Sequence, residues 1–194
     1  RNPEKAFIRI TKDFKSCIGY GYEQTRRIEK KFIDGLPLFI NDKNGNLIEE
    51  VDTTKYNQDF SIIVNLKSFG QIQCDLATLV ELENEDDLFP WAVKLDDLEI
   101  FLLTLIAQKK KPMDFVNFLL MRETLHGKLI CSDELEICGG FLTNKLNQKQ
   151  IDKASIINPH PNLGNIFDQQ YYKTMGFKNE KYLYEKQSGK YLFW

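Results

Sequence analysis

The sequence predicts an α+β fold: an N-terminal helix, a small antiparallel β-sheet, then a helical half packed on it. Three observations carry this. Residues 7–28 repeat apolar or small side chains at three- and four-residue spacing. Residues 36–66 change to short apolar and β-branched runs around an Asn-Gly step. From Asp96 the helical period returns, punctuated by Pro112 and Gly127.

In order along the chain, Asn2-Pro3-Glu4 has the form of a helix start: a side-chain cap, a proline where no N–H is missed, then an acid near the positive end. Phe7, Ile10, Phe14, Cys17, Gly21, Gln24 and Ile28 place one stripe along a helix ending near Asp34-Gly35. Gly19 and Gly21 each cost a helix about 1 kcal/mol, which predicts a kink or a close approach by another element. Leu36 to Ile40 and Leu47 to Val51 flank Asn44-Gly45 and predict a hairpin. Phe60 to Leu66 is a β-branched run and reads as a strand. Gln71 to Glu83 is ambiguous: Gln71 to Cys74 reads as a strand pairing back on this sheet, and Asp75 to Leu82 as strand or short helix. Asp96-Asp97-Leu98-Glu99 has the form of a capping box opening a helix to about Gln108. Lys111-Pro112 starts a second helix through His126, stopped by Gly127, and Ser132 caps a third. Leu98, Phe101, Leu102, Leu105, Phe115, Phe118, Leu119, Leu135, Phe141 and Leu142 are expected to meet in one core. A last helix is expected from about Asn165 to Met175, then an aromatic tail from Tyr182 to Trp194. No composition break marks a domain boundary. Residues 1–147 read as one α+β domain and 148–194 as a C-terminal helical and aromatic extension, with Gln148 to Asn162 the best linker candidate.

Composition narrows the function classes. At 194 residues, 42% hydrophobic and 12% aromatic, the chain can bury a core. The apolar stretch from Leu98 to Ala107 is about half of the roughly 18 residues a membrane span needs, so no membrane partner is expected. A net charge of −2 gives no global attraction to nucleic acid. Cys17, Cys74, Cys131 and Cys138 are scattered without a CxxC pair, and His126 and His160 sit at no ligand spacing from them. No metal site and no cofactor is expected on that pattern. Cys17 and Cys138 fall on apolar helix faces as buried thiols, and this usage suits a reducing cytoplasm. The opening Arg1-Asn2-Pro3-Glu4, without an initiator Met, predicts a cut through a longer polypeptide.

No self-sufficient catalytic motif is present. Val64-Asn65-Leu66-Lys67 has the strand-lysine form of a metal-dependent nuclease site, but Asn65 stands where metal capture needs a carboxylate. Gly19-Tyr20-Gly21 and Gly139-Gly140 lack the context of a dinucleotide site and read as packing contacts. His126, at a helix C-terminus, is accounted for by the dipole. Tyr20, Tyr22, Gln24, Arg26 and Arg27 interleave aromatics with base on one helix, a pattern suited to a phosphate backbone.

The second half carries Phe89-Pro90-Trp91-Ala92-Val93, then Leu95-Asp96-Asp97-Leu98-Glu99-Ile100. Pro112-Met113-Asp114-Phe115 runs on to Arg122, and Asp133-Glu134-Leu135-Glu136 follows. With the order of elements over residues 1–147, this resembles the C-terminal portion of bacterial proteins carrying a nuclease-related domain of the PD-(D/E)XK or NERD type upstream. The resemblance implies that residues 1–34 form the last helix of that nuclease-like core and that any catalytic residues precede Arg1. In some relatives of that fold a glutamine on this helix approaches the active site, and Gln24 matches it, although Ile28 replaces the tyrosine of a QxxxY arrangement. The expected function is a non-catalytic region positioning nucleic acid or a partner subunit. Gln24, Arg26, Arg27, Lys30 and Lys31 would form the nucleic-acid contact. The alternative is a protein–protein interaction module docking through Tyr184, Tyr191 and Trp194 of the aromatic tail.

Overall fold

A computed structural model describes residues 3–82 and 87–174. The fold is α+β, mostly helical with two short two-stranded sheets among the described residues. Contacts divide the chain into two compact units. Among the described residues the first holds 3–65, 80–82 and 87–92, the second 66–79 and 93–174.

In the first unit, helix α1 (Pro3–Phe14) runs into α2 (Tyr20–Ile33) through a single π-helical turn, Lys15–Gly19. The Tyr20 N–H reaches back five residues to the Lys15 carbonyl. A π turn holds one more residue than an α turn, so the residue stacked below Phe14 is Ile18 and not Cys17. The buried stripe is therefore Phe14, Ile18 and Tyr22. The expected stripe fails at this point: Ile10, Cys17 and Ile28 are exposed, and Cys17 is no buried thiol.

Gly21 lies against β3 (Ile62–Asn65). A Cβ at residue 21 would fall 2.8 Å from Ile63 Cγ2, which is the close approach this glycine permits. The helix ends at Gly35, whose φ of 61° is open to glycine at little cost. The hairpin follows as expected, β1 (Leu38–Asn41) pairing antiparallel with β2 (Leu47–Val51), Leu38 opposite Val51. Its loop is organised by Asp42, whose Oδ1 accepts the N–H groups of Asn44 and Asn46, each at 2.8 Å. Buried Thr53 donates to the Leu36 carbonyl at 3.0 Å and anchors the hairpin's return.

The second sheet differs from expectation. The partner of β3 is β4 (Trp91–Lys94), with the Trp91 N–H donating to the Ser61 carbonyl at 2.8 Å, and β4 crosses from the first unit into the second. Gln71–Cys74 is a single helical turn, α3, with a 3₁₀ turn Leu76–Thr78 behind it. Trp91, Ala92 and Val93 are all buried, so β4 shows none of the alternation that marks a half-exposed strand.

The second unit packs α4 (Leu95–Ala107), α5 (Pro112–Glu123), α6 (Glu134–Leu142), α7 (Gln148–Lys153), a 3₁₀ helix (Pro161–Phe167) and α8 (Asp168–Thr174). α4 starts one residue before Asp96, which pairs with Lys94 and caps nothing. Asp133, not Ser132, caps α6 by accepting the Leu135 N–H at 2.8 Å. Phe101 and Phe118 centre the core with ring centroids 4.6 Å apart, and Phe167 and Phe141 close around them. Leu102 is exposed, Leu135 and Leu142 are half-buried, and the deepest places on α6 go to Glu134, Ile137 and Cys138. Residues 148–162 bury Ile151 and Ile157 in this unit.

Gly139-Gly140 is a packing contact. A Cβ on Gly139 would overlap the Leu163 carbonyl oxygen and fall 2.6 Å from its carbon, so the 3₁₀ helix lies directly on α6.

Candidate functional site

The helical repeat of α2 sorts the expected nucleic-acid residues onto different faces. Tyr20, Gln24, Arg27 and Lys31 follow at spacings of four, three and four, which is one stripe. Tyr20 and Arg27 are exposed, and Gln24 and Lys31 half-exposed. Lys30 belongs to the neighbouring stripe with Glu23, Arg27 and Asp34. Arg26 faces the other way. Its guanidinium meets Glu29 at 2.7 Å and Asp87 at 2.9 Å, with the three side chains only 10–22% exposed. Tyr22 is buried, so the aromatic share of the exposed stripe is Tyr20 alone. Among the described residues no ion pair engages Arg27, Lys30 or Lys31. Residues 3–34 carry eight basic and five acidic side chains in a chain of net charge −2, so base is concentrated on this helix. Tyr184, Tyr191 and Trp194 lie outside the described residues.

A second constellation, in the second unit, joins residues not grouped from the sequence. Arg122 is 1% exposed on α5. Its Nε donates to Glu134 Oε1 at 2.7 Å, and one terminal nitrogen donates to Glu134 Oε2 at 3.1 Å and to the Cys74 carbonyl at 2.7 Å. This is a two-pronged carboxylate grip of the kind a guanidinium makes best. The other terminal nitrogen faces His126 Nε2 at 3.1 Å.

His126 lies three residues past the end of α5. Leu76 N–H also points at its ring, 3.2 Å from Nδ1. Two donors converge on a ring that offers one acceptor nitrogen when neutral and none when protonated. Burial and the Arg122 charge pull its pKa down to about 4, against the opposing pull of Asp75. Asp75 is the hub beside it. It accepts the Ala77 N–H at 3.1 Å, the Gly127 N–H at 2.9 Å and the Leu129 N–H at 3.3 Å. Burial pushes this carboxyl up, but the bonds from His126 and the three amides outweigh it and hold the pKa at about 2. These bonds explain why residues 66–79 belong with the second unit. Asp75 ties its own turn to a segment more than 50 residues later.

The cluster has the residue types of an acid–base site without its access. The His126 side chain is 2% exposed and those of Arg122 and Glu134 1% and 2%. A hydrogen bond to Cys131 and burial hold the Cys74 thiol far above its ordinary range, and burial does the same to Cys138, so neither is a poised nucleophile. Asp97, in the first turn of α4, is half-buried. Burial first, then Asp133, raises it to about 6 against the pull of Lys94. Among the described residues no three His, Cys, Asp or Glu side chains converge to hold a metal ion, and no helix is long and apolar enough to cross a membrane. One signal in the sequence pointed to the cluster: Arg122 stands on the Phe115, Phe118, Leu125 stripe of α5, where a buried guanidinium needs a buried acid.

No protein-family model, no curated protein and no solved structure matches this chain.

Proposed function

We propose that this chain is a non-catalytic binding module that holds a nucleic-acid backbone on the exposed face of α2, as an accessory region of a nuclease-like protein. One observation carries the reading: Tyr20, Gln24, Arg27 and Lys31 form a single stripe whose cations are engaged by no acid among the described residues. Arg27, Lys31 and the flanking Lys30 would contact phosphates, Gln24 would donate to phosphate or sugar, and Tyr20 would stack on an unpaired base. Arg26 has a different duty, holding Glu29 and Asp87.

Fluorescence anisotropy with duplex and single-stranded oligonucleotides tests this. Three phosphate contacts correspond to an affinity loss of about 40-fold for duplex between ~50 and ~200 mM salt. The variant R27E/K31E should bind at least about tenfold more weakly. Binding that ignores salt, or survives this double charge reversal, overturns the proposal.

The hairpin favours a second reading, a protein–protein interaction module with no nucleic-acid role. Phe39, Ile40, Leu47 and Ile48 are 41–66% exposed there. Salt-insensitive self- or hetero-association abolished by F39S/I48S, with no oligonucleotide binding, would support that reading.

A further inference from the structure

A cleft of about 640 Å³ opens in the second unit between the turn after α6, α7 and the start of the 3₁₀ helix. That volume lies within the range of small-molecule sites. Its apolar wall is Leu146, Ile157 and Leu163, all at most 9% exposed and so held by the core. Lys145 lines the rim and is the single full charge there; every other polar lining group is an amide or His160. No carboxylate lines the cleft among the described residues.

The backbone fixes both ends of this polar rim. Asn144, at a φ of 55°, ends α6, and the Lys145 and Leu146 N–H groups both return to the Gly140 carbonyl, at 2.9 and 3.0 Å. His160 Nδ1 accepts the Asn162 N–H at 3.2 Å, which leaves the ring proton on Nε2 as a donor. An ammonium, an imidazole N–H and side-chain amides beside an apolar wall match a ligand with an anionic head and an apolar body. One cation balances one negative charge.

We propose that this cleft binds a small organic monoanion, a carboxylate carried on an apolar chain. Lys145 and His160 hold the carboxylate, and Leu146, Ile157 and Leu163 take the chain. This site is separate from the α2 face and does not depend on the function proposed for it.

Octanoate is the probe, titrated into the ¹⁵N-labelled 194-residue chain and followed by amide chemical shifts. The expected result is saturable shifts grouped in residues 145–163, with a Kd of about 1 mM or below. Lys145→Gln, a change at an exposed side chain, should weaken binding about tenfold, the loss of one charge-assisted hydrogen bond. Octylamine, with the same chain and the opposite charge, should leave these amides unmoved. The proposal is overturned if octanoate gives no saturable shifts, if shifts scatter over both units, or if octylamine moves the same amides. It is also overturned if the Lys145→Gln variant, with an unchanged parent spectrum, binds octanoate as the parent does.

Discussion

Replacing Arg122 by methionine keeps an unbranched apolar stem, shorter than the arginine, and removes every donor. Four contacts go at once: two to the Glu134 carboxylate, one to the Cys74 carbonyl and one to the His126 ring. Glu134, whose side chain is 2% exposed, is left without its counter-charge. Breaking a buried pair from one side costs about 3–5 kcal/mol, because the orphaned charge has lost its water and gained nothing. For a chain of this size each kcal/mol lowers Tm by about 2–4 °C, so R122M should melt about 6–20 °C below the parent. The double variant R122M/E134L removes both charges. It should recover much of that loss, retaining a cost of about 1–3 kcal/mol for the abandoned Cys74 carbonyl. Urea unfolding of the parent, both single variants and the double variant, followed by circular dichroism, closes the cycle. The reasoning is refuted if R122M melts within a degree or two of the parent. It is equally refuted if the double variant loses the sum of the two single losses, since no coupling would then exist.

Gly139→Ala puts a methyl group into the Leu163 carbonyl. That neighbour is backbone and has no rotamer to escape into, so the cost should reach or exceed the upper end of the usual overpacking range of about 1–3 kcal/mol. A thermal melt should fall by about 6 °C or more, and a change under 2 °C would show that the two helices part freely. Over about pH 4–6 the two largest displacements, of His126 and Asp97, run in opposite directions. His126 is held at about 4, so between there and its ordinary 6.5 the unfolded chain binds the extra proton and stability rises with pH. Asp97 is held at about 6, so between its ordinary 3.8 and there the folded chain binds the extra proton and stability falls with pH. The two slopes cancel over about pH 4–6. Asp97→Asn should expose the histidine slope, up to about 1.4 kcal/mol per pH unit, and urea midpoints that stay flat over that window would contradict it.

What was legible in the sequence was chemistry that acts within a few residues. Asn44-Gly45 set the hairpin, Pro112 set the start of α5, and the glycine pair at 139–140 marked where another segment presses in. What was not legible depends on partners distant in sequence or on a change of helical pitch. The Arg122–Glu134 grip joins two helices: Arg122 stands on an apolar stripe, but nothing near it in sequence marks Glu134 as its acid. β4 is four residues long and buried on both faces, so it carries no period to read. The capping box at Asp96 failed because Asp96 met Lys94 first. On α2 the sequence shows the residue types but not the directions in which they point. Arg26 and Arg27 are adjacent in sequence, yet one closes an ion cluster and the other faces solvent.

The single π turn between Phe14 and Tyr20 acts on α2 much as a reading frame acts on a message. That turn absorbs one residue more than an α turn, and the same residues wound as plain α-helix would turn everything after them by about 100°. Such a change would turn Tyr22 out of the core and carry Arg27 and Lys31 to a different bearing together, without altering any of their identities. The direction in which α2 presents its charges is therefore a matter of counting. A change of pitch within residues 15–19 would re-address the whole helix, whereas one that keeps the π turn would leave its bearing in place.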